Sequence, residues 1–438
     1  MTTSPSFDTS GIAYQQSRIS HWDAIARKTD SWRGMGRWYH QRLAEIYRFH
    51  IPPNSRVLEL GCADGKLLAS LNPSRGVGMD FSPEMIRRAK AKHPNIEFIE
   101  ADAHDLSALN ETFDIIILSD LVNDVWDVQR VFHEIKKLCA PRTRILINFY
   151  SRLWQLPLGI AQSLNLATRN LYQNWLTRED MDNLLQLAGF ESIQITQEIL
   201  FPLPLGGLAN KFLVRLWPLH HLALSNFVVA RPSPQRAKEP SVSIIVPARN
   251  ESGNIKSIFE RTPQMGRGTE LVFVEGHSKD DTYAAIQREV KAHPSTPSLI
   301  LQQSGIGKAD AVRLGYAKAT GDVLMILDAD LTVPPEDLPR LAFSWLLGQP
   351  IKDTLCGTKV LWKDDYERIA VNRSYFGDFD PFGDYDLIFG AAKLNLKIVD
   401  LPIRYRERTY GSTNISRWKH GLLLFRMVAF AARRIKFV

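Results

Sequence analysis

The stretch VLELGCADG, Val57 to Gly65, determines the architecture of the N-terminal half of this chain. An apolar run typical of a buried strand is interrupted by Glu59 and ends on two glycines, Gly61 and Gly65, before a helical pattern begins. Glycine lets the backbone turn tightly and lets a ligand approach it closely. The dinucleotide fingerprint G-x-G-x-x-G is absent. The stretch therefore predicts a strand, a ligand-binding turn and a helix, in that order.

Two more predicted strands end in acidic residues a short distance along the chain. GVGMD ends in Asp80, and FIEAD ends in Asp102. Three consecutive predicted strands thus end in glycine-rich or acidic turns. This ordered pattern is more specific than any single motif. The alternatives are that Asp80 and Asp102 only cap the helices that follow, or that the domain binds a nicotinamide cofactor.

The first half of the sequence alternates apolar strand patterns with helical patterns, which is typical of an α/β domain. Seven strands are predicted, at RVLELG, GVGMD, IEFIEAD, FDIIILSD, TRILINFY, ESIQITQEIL and SNFVVARP. The segment LTREDMDNLLQLAGF predicts a helix that starts after an N-cap at Thr177 and ends near Gly189. Residues 1–50 are rich in Trp, Tyr, His and Arg and predict a helical lid ahead of a domain over residues 51–230.

This half resembles the class I S-adenosylmethionine-dependent methyltransferases over roughly residues 30–232. The resemblance implies a Rossmann-like, seven-stranded domain in which Gly61 and Gly65 cradle the methionine part of the cofactor. It also implies that Asp80 binds the ribose hydroxyls and that Asp102 faces the adenine. The residues that it implies for binding S-adenosyl-L-methionine are Glu59, Gly61, Ala63, Gly65, Asp80, Asp102 and Ala103.

The methyl acceptor is not identified by the sequence. SDLVNDVWD follows the fourth strand and is expected to face the acceptor through Asp120, Asn123 and Asp124. No general base stands out. Tyr39 and His40 in the lid are better candidates than His104 and His133, which are interpreted as surface or helix residues.

A proline-rich linker, RPSPQRAKEP over residues 231–240, separates the first half from a second α/β pattern over residues 241–438. Strands are predicted at VSIIVPA, ELVFVEG, SLILQQ and DVLMILDAD, the last of which ends on Asp328 and Asp330. Two carboxylates beside the basic turn GIGKAD suit Mg²⁺ or Mn²⁺ bound to a diphosphate. Short D-x-D patterns are also common in turns, and a sugar nucleotidyltransferase shares this arrangement of strands.

The second half resembles family 2 glycosyltransferases of the GT-A fold, in particular dolichyl-phosphate mannosyl and glucosyl synthases, over roughly residues 241–415. The resemblance implies a metal held by Asp328 and Asp330 and acceptor-side catalytic carboxylates at Asp384 and Asp386. The residues that it implies for the nucleotide sugar are Pro247, Arg249, Glu251, Glu275, Lys308, Asp328 and Arg408. Asp384 is the expected base for a hydroxyl acceptor, whereas a polyprenyl phosphate needs no base.

Two features of the second half depart from this family. Gly276 and His277 interrupt the acidic motif after the second strand, and only 22 residues separate Asp330 from Asp353 in a pattern resembling the acceptor loop. The segment PRLAFSWLLGQP between them predicts a single helix. The shortness of this segment leaves two hypotheses open, a glycosyltransferase and a degenerate module that binds a nucleotide sugar or glycan.

Composition narrows the location and the partners. The net charge is +7 and the three cysteines match no metal spacing, so we expect a reducing compartment and phosphate-bearing ligands. The N-terminus lacks a signal-peptide core, and the basic apolar pattern GLLLFRMVAFAARRIKFV at the C-terminus is that of a helix on a membrane surface or packed on its own domain. These features predict a cytoplasmic protein that binds peripherally to the inner face of a membrane. The sequence contains no recognised nucleic-acid-binding motif.

The sequence thus predicts a bifunctional enzyme that combines S-adenosylmethionine-dependent methyl transfer with metal-dependent, inverting glycosyl transfer from a nucleotide sugar. The expected glycosyl acceptor is a glycan or a polyprenyl phosphate. The alternative is a methyltransferase fused to the degenerate binding module.

Overall fold

A computed structural model describes residues 9–28, 35–164, 171–201, 210–215, 219–234, 239–330, 358–372 and 385–398 of the 438 in the sequence. The chain divides into two compact units, with the division between Ser233 and Pro234. We refer to them as the N-terminal unit and the C-terminal unit. Each contains one sheet.

The sheet of the N-terminal unit has seven strands, as the sequence predicts. They are β1 (Arg56–Leu60), β2 (Arg75–Asp80), β3 (Glu97–Glu100), β4 (Phe113–Ser119), β5 (Cys139–Tyr150), β6 (Phe190–Glu198) and β7 (Ser225–Pro232). Their spatial order is β3-β2-β1-β4-β5-β7-β6. Strands β1 to β5 are parallel, and β7 is antiparallel to both β5 and β6.

Both faces of this sheet are buried, which explains why its strands are continuous apolar runs. On β4, Ile116 and Leu118 belong to one core cluster while Ile115 and Ile117 belong to the other. Successive residues of a strand point to opposite faces, so the two clusters lie on opposite sides of the sheet.

Seven α-helices are described in the N-terminal unit. They are α1 (Thr9–Lys28), α2 (Met35–His50), α3 (Lys66–Ser70), α4 (Pro83–Lys92), α5 (Val128–Lys137), α6 (Gln155–Ser163) and α7 (Arg178–Leu187). Helix α7 begins at the predicted cap: the Thr177 hydroxyl accepts from the Asp180 amide, and the Asp180 carboxylate accepts from the Thr177 amide. This reciprocal pair is a capping box, so the N-cap prediction is confirmed.

The C-terminal unit contains the four predicted strands and one that the sequence did not reveal. The strands are β8 (Val242–Ala248), β9 (Thr269–Glu275), β10 (Ser298–Gln302), β11 (Val323–Ile326) and β12 (Val360–Trp362). Their order is β10-β9-β8-β11-β12, and all pairs are parallel except β11 with β12. The predicted fourth strand is shorter than expected, since it ends at Ile326 and not at Asp330.

Five α-helices are described in the C-terminal unit, namely α8 (Ile255–Arg261), α9 (Thr282–Ala292), α10 (Lys308–Lys318), α11 (Lys363–Val371) and α12 (Tyr385–Lys393). The predicted helix PRLAFSWLLGQP and the predicted basic C-terminal helix lie outside the described residues. Within the part of the chain that is described, no helix combines the length and the hydropathy needed to cross a bilayer.

Candidate functional sites

The order of strands locates one candidate site in each unit. In an open parallel sheet, ligands bind outside the carboxyl ends of the strands where the strand order reverses direction. In the N-terminal unit this point lies between β1 and β4. In the C-terminal unit it lies between β8 and β11. Most of the predicted site residues that the structure describes lie at the ends of these four strands or of their neighbours.

The turn after β1 requires glycine at two positions. Gly61 has φ = 70° and Gly65 has φ = 74°, both in the left-handed region. A Cβ atom at Gly65 would lie 2.5 Å from Cζ of Phe98, and one at Gly61 would lie 2.9 Å from Cδ1 of Leu121. Ala63, between these two glycines, also has a positive φ of 47°. The turn is therefore tightly packed and strained at Ala63.

Asp80 fixes this turn from the end of β2. Its Oδ2 accepts a hydrogen bond from the Ala63 amide at 2.9 Å, and its Oδ1 accepts one from the Ser82 amide at 2.9 Å. Each carboxylate oxygen keeps one lone pair, enough for one ligand hydroxyl each. Burial raises the pKa of Asp80 to about 6, although the two backbone hydrogen bonds act in the opposite direction.

Glu59 has a structural contact inside the unit. It is buried, and its Oε2 accepts a hydrogen bond from the Leu68 amide of α3 at 3.1 Å. Burial raises the pKa of Glu59 well above its ordinary value. The contact holds the first turn of α3 against β1, next to the glycine turn.

Asp102 is joined to His104, and His104 is not the surface or helix residue that the sequence suggested. His104 is buried in the turn after β3, where its amide and its Nδ1 both bond to Oδ1 of Asp102. Its Nε2 accepts from the Asp127 amide, the N-cap of α5, so Nδ1 carries the proton. Burial raises the pKa of Asp102, but the bonds from His104 outweigh it and the net shift is downward. Ala103, between them, is buried.

Asp120, directly after β4, accepts hydrogen bonds from side chains that are themselves held by further hydrogen bonds. The Tyr39 hydroxyl of α2 lies 2.8 Å from its Oδ1, and Nδ2 of Asn148 lies 2.6 Å from the same oxygen. The Tyr47 hydroxyl donates to Oδ1 of Asn148 at 2.7 Å, which fixes the amide so that its Nδ2 faces Asp120. The Ser225 hydroxyl, 3.0 Å from the Tyr39 oxygen, can donate to it.

The second oxygen of Asp120 is less occupied than the first. Among the contacts of the described residues, Oδ2 receives only a 3.1 Å approach from the same Tyr39 hydroxyl. Burial raises the pKa of Asp120 to about 7, against the hydrogen bonds from Tyr39 and Asn148. A carboxylate with that pKa exchanges a proton readily near neutral pH.

The other two residues expected to face an acceptor are already engaged. Asn123 is buried, donates to the Asn174 carbonyl and accepts from the Tyr150 amide. Asp124 forms an ion pair with Arg18 of α1 at 2.6 Å and accepts from Nε1 of Trp22 at 2.7 Å. Of the three, Asp120 has the carboxylate oxygen with the weakest contact among the described residues, since Oδ2 meets only the Tyr39 hydroxyl at 3.1 Å.

Helix α1 is also tied to the end of β2. Asp23 accepts from the Ser82 hydroxyl at 2.5 Å and from the Glu84 amide at 3.3 Å, at the start of α4. Together with the Arg18–Asp124 pair, this fixes α1 across the ends of β2 and β4, on either side of β1. The sequence placed helices in this region but could not identify these partners.

Aromatic rings surround Asp120. The Tyr39 and Tyr150 ring centroids are 6.1 Å apart, and Trp175 lies 6.3 Å from Tyr150. Both Tyr150 and Trp175 are half-buried. His40 lies beside Tyr39, but burial, and after it the Lys66 ammonium, lowers the pKa of His40 to about 4. That value makes His40 a weak base.

In the C-terminal unit, the loops after β8 and β9 are bonded to each other. Glu251 is buried, its amide donates to the Thr282 hydroxyl, and its Oε2 accepts from Asn254. Oδ1 of Asn250 accepts from the Lys279 amide at 2.7 Å. Arg249 is exposed and Pro247 is half-buried in β8. Glu251 therefore builds the loop, while Arg249 is open to a ligand.

Glu275 ends β9 with its carboxylate held by the next turn. Its Oε1 accepts from the Ser278 amide at 2.5 Å, and its Oε2 accepts from Nε2 of Gln302 at 3.4 Å. Burial raises the pKa of Glu275, but the bonds from Ser278 outweigh it and the net shift is downward. Glu275 is an ionised group at the edge of the sheet.

Two residues with different predicted roles contact each other at the end of β11. Nζ of Lys308, the first residue of α10, lies 2.6 Å from Oδ1 of Asp328. Both side chains are about one quarter to one third exposed. Lys308 follows Gly307, which has φ = 96°. The turn between β10 and α10 thus brings a cation to the acidic end of β11.

The carboxylates at this edge suit a divalent cation in their chemistry. Asp328 and Asp330 are half-buried and offer hard oxygen ligands, and Mg²⁺ needs only one or two carboxylates when substrate phosphates and waters complete its shell. No group of three or more His, Cys, Asp or Glu residues in the described parts of the chain is arranged to hold a metal. The donor set therefore fits a cation shared with a phosphate ligand.

Some predicted residues lie outside the described parts of the chain. Asp384 and Arg408 lie outside the described residues, as do Asp353 and the rest of the predicted acceptor loop up to Gly357. Asp386 lies on α12, and only the backbone of this residue is described.

Comparison with protein families gives two matches along the chain. Residues 32–195 match a family described as a methyltransferase domain. Residues 243–353 match glycosyl transferase family 2. The two families are those that the sequence motifs resemble.

Solved methyltransferase structures resemble part of the chain. A S-adenosylmethionine-dependent methyltransferase from Mesorhizobium loti is 21% identical, with 43% of this chain and 97% of that one covered and a TM-score of 0.35. A possible histamine N-methyltransferase from Thermotoga maritima is 14% identical, with coverage of 51% and 99% and a TM-score of 0.35. Likenesses at this level assign no activity.

Curated relatives match the second half. An undecaprenyl-phosphate 4-deoxy-4-formamido-L-arabinose transferase of Sodalis glossinidius is 33% identical over 223 residues, 44% of this chain and 68% of the relative. The enzyme of the same name from Pseudomonas syringae is 29% identical over 177 residues, 38% of this chain and 51% of the relative. The chain thus spans about two thirds of the Sodalis relative and about half of the Pseudomonas relative. It belongs to glycosyl transferase family 2 and carries a methyltransferase domain ahead of its glycosyl transferase domain.

Proposed function

We propose that the chain is a bifunctional enzyme that transfers a methyl group from S-adenosylmethionine in its N-terminal unit and a sugar from a nucleotide sugar in its C-terminal unit. The observation that carries the proposal is that acidic strand ends and a glycine turn meet at the reversal point of each sheet. Such edges of α/β sheets are where nucleotide-containing ligands bind.

In the N-terminal unit, Asp80 would hold the ribose of the cofactor. Its two oxygens each keep a lone pair after bonding to the Ala63 and Ser82 amides, which matches two vicinal hydroxyls. Gly61 and Gly65 would let the methionine part lie against the backbone. Asp102 would bond to the adenine through Oδ2, because its Oδ1 is taken by His104. S-adenosylmethionine supplies an already activated methyl group, so positioning provides most of the rate.

Asp120 is our candidate for the base that receives the acceptor proton. Its Oδ2 has spare capacity, and Tyr39 and Asn148 hold the carboxylate through Oδ1. A pKa of about 7 suits a general base that works near neutral pH. The rings of Tyr150 and Trp175 would pack against the acceptor, which suits the apolar face of a sugar ring.

In the C-terminal unit, Asp328 and Asp330 would hold Mg²⁺ or Mn²⁺, which would neutralise charge on the departing nucleoside diphosphate. Lys308 would leave Asp328 and bond to a phosphate oxygen when the metal binds, since the two cations compete for one carboxylate. Arg249 is exposed to contact the donor, and Glu275 is an ionised group at the same edge. Pro247 and Glu251 would shape the loop around the nucleotide.

The acceptor that we propose for the sugar is a polyprenyl phosphate or another lipid-linked glycan. Both relatives are named as undecaprenyl-phosphate transferases, and the net charge of +7 favours phosphate-bearing partners. A polyprenyl phosphate is already ionised and needs no base. With a hydroxyl acceptor, Asp384 would be the base and Asp386 its neighbour on the acceptor side. Such an acceptor implies a cytoplasmic enzyme bound peripherally to the inner face of a membrane.

The test is a pair of transfers assayed on the full chain. Radiolabelled S-adenosylmethionine and a panel of labelled nucleotide sugars with Mn²⁺ are supplied with undecaprenyl phosphate, and label is measured in the lipid fraction. We expect Asp80→Asn to reduce methyl incorporation only and Asp330→Asn to abolish sugar incorporation. Loss of the sugar label in Asp80→Asn, with the fold intact, would contradict two separate sites.

The Lys308–Asp328 ion pair supports a second candidate for the C-terminal unit, namely a module that binds a nucleotide sugar without turnover. Two side chains with predicted binding roles, Lys308 and Asp328, are paired with each other. Donor hydrolysis separates the two functions. Metal-dependent release of the nucleotide by wild type and not by Asp330→Ala supports an enzyme, whereas binding without release in both supports the module.

A further inference from the structure

The N-terminal unit exposes an apolar surface that neither activity uses. After β5 the chain forms a short 3-10 helix, Arg152–Trp154, and then α6. Leu153, Leu156, Ile160 and Leu164 are between 62% and 79% exposed. Positions 156, 160 and 164 follow each other at four-residue spacing, so they lie on one side of the helix. We call these four residues the α6 face.

The α6 face points outward because the opposite side of the same segment is anchored. Trp154 and Leu158 pack against the core cluster on one side of the seven-stranded sheet. Nε1 of Trp154 also donates a hydrogen bond to the Leu222 carbonyl at 2.8 Å. The α6 face is therefore exposed on a helix whose opposite side is packed against the domain.

A second apolar patch lies where Trp154 makes this bond. Two short 3-10 helices, Leu213–Arg215 and Leu219–Leu222, pack against each other there. Phe212, Leu213 and Leu222 are between 38% and 56% exposed. An apolar surface of this extent on one part of a protein marks a site that contacts a protein or a membrane.

The two sequence segments that contain this surface carry only basic charges, although Arg152 also interacts with the Asp180 carboxylate at the start of α7. The segments that carry it, residues 151–178 and 199–238, contain no Asp or Glu and contain three and five Lys and Arg residues. At the chain's average of 47 Asp and Glu in 438 residues, these 68 residues would carry about seven. A surface that mates with another protein is under no pressure to exclude acids completely, whereas contact with anionic lipid headgroups is weakened by every carboxylate.

We propose that the α6 face and the adjoining patch of Phe212, Leu213 and Leu222 bind the surface of an anionic lipid bilayer. The leucine and isoleucine side chains would enter the boundary between headgroups and acyl chains, and Arg152 and Lys211 would contact lipid phosphates. The inference goes beyond the two transfer reactions and depends on neither. It assigns membrane contact to the methyltransferase half, whereas the sequence analysis considered it for the C-terminal helix.

Vesicle flotation tests this surface on the full chain. Wild type, the variant Leu156→Ser/Ile160→Ser and the control Leu187→Ser are mixed with vesicles of phosphatidylcholine, alone or with about one third phosphatidylglycerol. Leu187 is a matched control because it is 67% exposed on α7, which packs on the other face of the sheet through Met181 and Leu185. Both substitutions are at the surface, and circular dichroism checks the fold.

We expect wild type and the control to float with the anionic vesicles and the double variant to bind about tenfold less. Equal binding by all three proteins would overturn the assignment to the α6 face, since another surface would then hold the membrane. Absence of wild-type binding to the anionic vesicles would overturn it as well. So would a wild-type dimer that the double variant loses, because the surface would then cover a second copy.

A spectroscopic probe gives an independent readout. An environment-sensitive fluorophore at Ile160→Cys, with Cys139 and Cys356 replaced by Ser, should shift to shorter wavelength when anionic vesicles are added. The same label at Leu187→Cys should not shift. Shifts of equal size at both positions, or at neither, would contradict the proposal.

Discussion

Asp120→Asn should stabilise the N-terminal unit at neutral pH while it removes the proposed base. Asp120 lies in the left-handed region at φ = 57°, which Asn tolerates, and the Asn oxygen can accept from Asn148 as the carboxylate does. Burial raises the pKa of Asp120 from 3.8 to about 7. Asn has no ionisation to suppress, so it avoids the cost of a buried charge.

The magnitude follows from the size of this shift. About three pKa units at about 1.4 kcal/mol each give a ceiling of about 4 kcal/mol. A raised pKa means that the folded state keeps its proton longer than the unfolded state. Wild-type stability is therefore full below pH 3.8, falls as pH rises from there to about 7, and is level above it. The tyrosines that face Asp120, Tyr39, Tyr47 and Tyr150, have pKa values well above 10 and do not titrate in this window.

Calorimetric unfolding of wild type and variant between pH 5.5 and 8 checks the prediction. The unfolding transition of the N-terminal unit is identified as the one whose Tm changes when S-adenosylmethionine is added. The advantage of the variant should grow by about 2 kcal/mol over this range, roughly 4 to 8 °C in Tm, and then level off. Asp281→Asn, on an exposed residue of the C-terminal unit, controls for the substitution itself. A difference that does not change with pH, or a variant less stable than wild type at pH 8, would refute the account of Asp120.

Three further predictions concern single positions. Gly65→Ala should reduce the affinity for S-adenosylmethionine and lower Tm, because the new Cβ would lie 2.5 Å from Phe98 at a backbone φ of 74°. Ala63→Gly should leave the affinity and Tm unchanged. Calorimetric titration measures the affinity of each variant, and thermal unfolding measures its Tm. Thr177→Ala should cost about 1 kcal/mol of unfolding free energy through loss of the capping box, with Thr177→Ser retaining it, as measured by urea unfolding. Asp322→Asn should destabilise the C-terminal unit at pH 7 but not near pH 2. Hydrogen bonds from Ser241 and Arg267 lower the pKa of Asp322 to about 2, so the stability that the ionised carboxylate contributes is lost as pH falls from 3.8. Unfolding measured in a series from pH 2 to pH 7 checks this difference.

Sequence reasoning identified the strands of both sheets because their signals are local. Seven apolar runs gave seven strands, and Thr177 marked the start of α7. Strand β12 was missed since its three residues are too few for a periodic pattern. The end of β11 was placed too late because Leu327 continues the apolar run past Ile326, the last residue paired with β8.

The candidate sites were only partly visible in the sequence, because their contacts join distant segments. Asp120 is bonded to Tyr39 from 81 residues earlier, and Asp124 to Trp22 from 102 residues earlier. Tyr39 was noted as a possible base, yet the geometry makes it a donor to the carboxylate. The Lys308–Asp328 pair was likewise hidden, although a lysine after a Gly-x-Gly turn and an acid at a strand end were both recognised.

The most direct test of the whole account is a calorimetric titration of S-adenosylmethionine into the full chain and into Asp80→Asn. We expect one molecule bound per chain, and an affinity weaker by about ten- to a hundredfold in the variant, the equivalent of about 1.5 to 3 kcal/mol for hydrogen bonds to a charged group. Identical affinities in the two proteins, or no binding by the wild-type chain, would contradict the claim that the acidic end of β2 holds the nucleoside.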